Sequence, residues 1–134
     1  MATTTAQLII TSTDLVSDSL SLSSIATLTG AGNSTGLTHT EGLARKTLAS
    51  GHAQYTLFEG GDRTADKAHK IYLKNLSTTA SEYFLITVNS EDVGRLYAGD
   101  WAFFPWSAHD QDNDIKIDPS ANSMTLEYML FTDD

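Results

Sequence analysis

The sequence predicts an all-β protein: an antiparallel β-sandwich or jelly-roll-like domain with an extended N-terminal arm. Three observations predict it. From about residue 45 onward, short apolar runs alternate with turn-forming clusters at close intervals, and no segment repeats with a helical period. All twelve Phe, Tyr and Trp residues fall between Tyr55 and Phe131, whereas residues 1–50 hold nineteen Ser and Thr and can hardly build a core alone. Finally, Leu96 to Trp106 gathers large apolar side chains around one glycine, and the remainder of the chain is arranged about that stretch. The chain therefore divides into a Ser/Thr-rich arm over 1–44 and a sandwich over 45–134.

Within the arm, Gln7 to Thr11 and Asp18 to Thr29 read as strand pieces. Leu20 and Leu22 alternate with serines, and Ile25 breaks that alternation, which predicts a bulge or bend. Such strands are expected to lie on another surface, which makes Leu8, Ile9, Leu20 and Leu22 candidate interface residues. Gly30 to Gly36 is loop chemistry, and Gly42 and Gly51 continue the punctuation.

In the sandwich, Ala53 to Glu59 places Tyr55 and Leu57 on one face, and Glu59-Gly60-Gly61-Asp62 ends the run. Lys70 to Leu76 and Glu82 to Asn89 flank Ser77-Thr78-Thr79-Ala80-Ser81, which predicts a hairpin with a five-residue loop. The second of these strands is apolar on both sides, with Tyr83 and Leu85 opposing Phe84, Ile86 and Val88, so it belongs at a central position. Val93 to Tyr97 leads into the turn at Gly99, Asp114 to Asp118 alternates Ile115 and Ile117, and Ser123 to Thr132 closes the chain. In that last strand Met124, Leu126, Tyr128 and Leu130 share a face opposite a mixed row of Thr125, Glu127, Met129 and Phe131.

Gly99 can take a positive φ without steric cost, which suits a tight turn between two strands of an edge hairpin. Beyond it, Trp101 and Phe103 point one way and Phe104 and Trp106 the other, while Pro105 cannot donate to a ladder and marks an edge strand. A two-faced aromatic edge in water would aggregate. Tyr97, Trp101, Phe103, Phe104 and Trp106 are therefore candidate interface residues, with the division between core and partner-facing rings left open.

Composition narrows the function. At 134 residues, one domain can bury roughly two-thirds of its unfolded surface. The chain has no cysteine, so a disulfide framework, a thiolate metal site and a cysteine nucleophile are all excluded. Seventeen acidic against eight basic residues give a net charge of −9, with no basic stripe to follow phosphates, so no nucleic-acid partner is expected. No apolar run approaches a membrane span and no basic segment precedes an apolar leader, so we expect no membrane partner and synthesis as a soluble protein in the cytoplasm.

No catalytic, cofactor or metal constellation emerges. Gly99 and Pro105 have the spacing of half a cupin metal signature, but Ser107 and Asp110 stand where that motif needs glycine and histidine, and His39, His52, His69 and His109 are scattered. The loop from His109 to Asp114 alternates carboxylates, yet Ile115 and Ala121 occupy the positions where an EF-hand needs glycine and glutamate, so a solvated connection is the better reading. There is no Gly-x-Ser-x-Gly elbow. Lys67-Ala68-His69-Lys70, with Arg63 and Lys74, is the one basic cluster, and it reads as a solvated strand entrance. The aromatic stretch could stack on sugars, but its interleaving with Leu96, Ala102 and Pro105 favours a buried contact.

Taken together, Gly36 to Arg45, Ile71 to Ser77, Gly94 to Trp106 and Leu126 to Leu130 resemble small virion structural proteins of tailed bacteriophages, of the marine and cyanobacterial style. The resemblance spans residues 36–131 and rests on a Lys74-Asn75 step, a Ser/Thr-rich loop, a leucine, glycine and acidic turn, and an aromatic-proline strand. It implies a β-sandwich that decorates or cements the capsid exterior. The implied partner is the major capsid protein, and the implied state is a homo-oligomer, a trimer favoured. A tail, baseplate or adaptor protein of similar fold, or a carbohydrate-binding module, is the alternative.

Overall fold

A computed structural model describes residues 3–30, 36–37, 39–109 and 113–133. Among them, eleven strands and one short 3-10 turn at Gly60–Asp62 make an all-β protein. The strands are β1 (Thr4–Ser12), β2 (Leu20–Leu28), β3 (His39–Thr40), β4 (Ala44–Leu48), β5 (Tyr55–Phe58), β6 (His69–Asn75), β7 (Tyr83–Val88), β8 (Glu91–Tyr97), β9 (Trp101–Trp106), β10 (Ile115–Pro119) and β11 (Met124–Thr132).

The sandwich grows from a nested set of antiparallel pairs. At the centre, β7 pairs with β8 across Asn89 and Ser90, both at positive φ (51° and 63°), as a two-residue hairpin of the primed type requires. Outside it lie β6 with β9, then β5 with β10, then β4 with β11. Two further pairings, β6 with β11 and β7 with β10, roll this long hairpin into two sheets. One sheet orders β5-β10-β7-β8 and the other β11-β6-β9, with β3 and β4 sharing the outer side of β11. This is jelly-roll connectivity, so the predicted fold class holds.

Period-two alternation explains the core. Ile71 and Leu73 of β6, Phe84 and Ile86 of β7, Ile115 and Ile117 of β10, and Met124, Leu126 and Leu130 of β11 point between the sheets and are buried. Each such side chain contributes about 1.5–3 kcal/mol relative to exposure. The β7 strand is central, as its two apolar faces predict, and β9 is an edge strand, as Pro105 predicts.

Four expectations change. Ser77 to Ser81 does not close a hairpin: β6 and β7 lie in different sheets, and the segment is a corner between them. The Gly99 turn is likewise a corner, because β8 and β9 belong to opposite sheets. Asn75 explains both. Its backbone N–H donates to Asp100 O (3.0 Å), its carbonyl accepts from Gly99 N (3.0 Å), its side chain donates to Leu96 O (2.9 Å), and its Oδ1 accepts from Ser77 N (2.9 Å). One buried residue thus ties both corners to the end of β6, and the turn itself has Gly99 at φ +82°. The predicted bulge at Ile25 is also absent: β1 and β2 pair without a register shift from Thr4–Leu28 to Ser12–Leu20. Lastly, His39–Thr40, placed in the arm, pairs with Phe131 and Thr132 of β11, so sheet pairing begins ahead of residue 45. Most of the predicted loop from Gly30 to Gly36 lies outside the described residues.

Candidate interaction surface

Strand alternation sorts the β1–β2 hairpin into two unlike faces. Even-numbered residues place Ala6, Leu8, Ile10, Leu20, Leu22 and Ala26 on one side, and the cross-strand pairs Ile10–Leu22 and Ala6–Ala26 join them into one apolar stripe. The odd-numbered side is Ser, Thr and Gln interrupted by Ile9 and Ile25. Of the twelve large apolar side chains exposed among the described residues, eight lie on this hairpin or its tip. An isolated two-stranded hairpin is marginal in water, and one with an open apolar stripe asks for a covering surface.

The root of the hairpin is closed by Leu37, and the chain leaving it passes Asp133 at Gly30. Leu28 and Leu37 are buried, Thr4 Oγ1 donates to Leu37 O (3.0 Å), and Leu37 N donates to Leu28 O (2.7 Å). Above that root the apolar stripe leans toward the outer face of β9. A cleft of about 230 Å³ separates them, walled by Ala6, Leu8 and Ala26 on one side and by Trp101 and Phe103 on the other.

The aromatic strand divides by parity. Trp106 is only 3 % exposed; it packs on Phe58 (ring centroids 6.0 Å apart) and His69 (5.8 Å), and its Nε1 donates to Asn113 O (2.8 Å). It is therefore a core residue, which corrects its candidacy as an interface residue. The reason is positional: it shares the inward side with Ala102 and Phe104, and Phe104 is half-buried against the core. Trp101, 51 % exposed, and Phe103 face outward; Phe103 meets Phe131 edge-on at 6.2 Å. Tyr97 is exposed on the other sheet and packs beside Tyr83 (5.3 Å), with Arg95 over the Tyr83 ring at 4.5 Å. Leu8, Ile9, Leu20 and Leu22 are all exposed on the hairpin, with Ile9 on the opposite face from the other three.

One arrangement escaped the sequence reading. Glu127 of β11 stands directly opposite Arg45 of β4 and Lys74 of β6, with its oxygens accepting from Arg45 Nε (3.0 Å) and Tyr72 OH (3.0 Å). The Arg45 and Tyr72 hydrogen bonds hold the Glu127 carboxyl below the usual range. Burial, followed by the Glu127 contact, pushes the Tyr72 phenol up. Opposite charges at Arg45 and Glu127 are the only sequence signal for this pairing, and nothing in their spacing sets the register that joins them.

The basic cluster separates. His69 points inward with Nε2 against Thr64 O (3.0 Å), Lys70 Nζ donates to Ala68 O (3.1 Å), and Arg63 pairs with Glu41. In the acidic loop, Asp114 Oδ1 accepts from Gly60 N (2.8 Å), whereas Asp110, Gln111 and Asp112 lie outside the described residues. No group of three or more His, Cys, Asp or Glu able to hold a metal occurs among the described residues.

No protein-family profile matches the chain, and no curated protein matches it. Among solved structures, it is similar to a chain of the Bacillus endospore appendages, described as a novel family of disulfide-linked pili, at 14% identity and a TM-score of 0.44 over 70% of this chain and 87% of that one.

Proposed function

We propose that this chain is a non-enzymatic virion structural protein that decorates or cements a capsid, bridging major capsid subunits on the exterior of the shell. The observation that carries the reading is the hairpin: an apolar stripe that stays largely exposed beside a sandwich with its own separate core. Ile10, Leu20 and Leu22 are between 37 and 45% exposed. Covering the open part of each yields roughly 1 kcal/mol, so a few such contacts per copy, repeated over a lattice, shift the equilibrium toward the assembled shell. The resemblance to small phage virion proteins supplies the kind of partner. A net charge of −9 suits the outside of a particle, away from packaged nucleic acid.

Deleting residues 1–28 tests this. The expected result is a folded sandwich that no longer co-sediments with capsids, while the full chain does. Capsid binding that survives the deletion sinks the role of the hairpin. Imaging of the particle separates shell decoration from a tail, baseplate or adaptor position, and glycan binding lost with Trp101→Ala would instead favour a carbohydrate module.

A further inference from the structure

The hairpin has a second apolar feature, at its tip. Leu15 and Val16 are 73% and 53% exposed, on a turn fixed by the Ser12 hydroxyl, whose Oγ accepts from Leu15 N (3.0 Å). The cleft beside Trp101 and Phe103 is the complementary feature. Its 230 Å³ falls below the volume of ordinary small-molecule pockets but accommodates a pair of aliphatic side chains. Within one chain the two cannot meet. The cleft is walled at Ala6 and Leu8, and at a rise of about 3.3 Å per residue the tip stands roughly 20 Å further along the same stiff pair of strands.

Charge points to the same occupant. Asp14 and Asp18 flank Leu15 and Val16, and residues 3–30 contain no Lys or Arg. Lys74 stands opposite Trp101, on a sheet face that carries Lys70 and Arg45 against one carboxylate, Glu127. An acidic tip with an aliphatic centre thus matches an aromatic cleft with a basic margin, in a protein whose overall charge otherwise drives copies apart.

We propose that the hairpin tip of one copy inserts Leu15 and Val16 into the cleft between hairpin and β9 of a second copy. The contact is heterologous, each copy using a different surface, so it propagates into a ring or a chain instead of stopping at a symmetric dimer. It goes beyond the shell reading, since it concerns contact between copies and needs no shell.

The test is sedimentation velocity on the full chain and two variants. The tip variant Leu15→Asp with Val16→Asp lies in an exposed turn with no core contact to lose. The cleft variant Ala26→Phe fills the space beside Trp101, and its melting curve checks that it folds. The expected result is that the full chain self-associates with rising concentration and each variant weakens that association by at least about tenfold. Mixing the variants restores one intact contact, tip of the cleft variant to cleft of the tip variant, and is expected to give one-to-one dimers and nothing larger. Three outcomes overturn the proposal: a full chain that stays monomeric, association that persists in the tip variant, or folded variants that fail to pair. Capsid co-sedimentation by a strictly monomeric full chain overturns this contact while leaving the shell reading intact.

Discussion

Trp106 and Trp101 sit five residues apart on one strand, yet they are different kinds of residue. Replacing Trp106 by Ala opens a hole beside Phe58 and His69, and the expected loss of stability is about 3–5 kcal/mol. The same change at Trp101 removes a half-exposed ring on the outer face and is expected to cost less, about 1–2 kcal/mol. Urea unfolding of the two variants measures the contrast. Glu127 offers a second residue-scale prediction. Its folded carboxyl titrates below the unfolded one, so the pairing with Arg45 and Tyr72 stabilises the protein fully at neutral pH. That contribution is lost as the pH falls from the ordinary glutamate range through the depressed value. A Glu127→Gln variant is expected to melt below the parent protein at pH 7, with the gap closing on acidification. A gap that stays constant with pH would contradict the charge-based role.

Alternation made the individual strands legible. Ile115 and Ile117, or Met124, Leu126 and Leu130, announce an inward row from sequence alone, and Pro105 announces an edge. Connection between strands was less legible, because a short polar loop looks the same whether it closes a hairpin or turns a corner between sheets. Ser77 to Ser81 and the Gly99 turn look like hairpins for that reason, whereas the sheet order and the hydrogen bonds to Asn75 make them corners. The tight hairpin at Asn89-Ser90 carries no such signal in the sequence, because serine is an uncommon residue at positive φ. That strain is testable: Ser90→Gly removes a left-handed non-glycine residue and is expected to raise stability by about 1 kcal/mol, seen as a higher melting temperature. In the hairpin of β1 and β2, the break at Ile25 signified a residue on the polar face, not a bulge. Parity showed which hairpin residues share a face, whereas the meeting of that face with Trp101 and Phe103 depends on the packing of distant elements.

For the molecule as a whole, the nested pairings set an order. The β7–β8 hairpin closes over two residues, whereas β4 and β11 join Leu48 to Met124 across most of the sandwich. Loop closure favours the short pair first, so the outer pair belongs to the late steps of folding. Met124→Ala is accordingly expected to speed unfolding while changing the folding rate little, which denaturant-dependent kinetics resolve. The same nesting bears on synthesis of the chain. A sandwich whose first long strand is paired with its last cannot be finished until β11 has left the ribosome. The hairpin of β1 and β2 is complete in its backbone pairing once residue 28 has emerged, so its apolar stripe is formed before the body that carries it. Nascent chains on neighbouring ribosomes would expose these apolar stripes together, which places the hazard of premature association at translation.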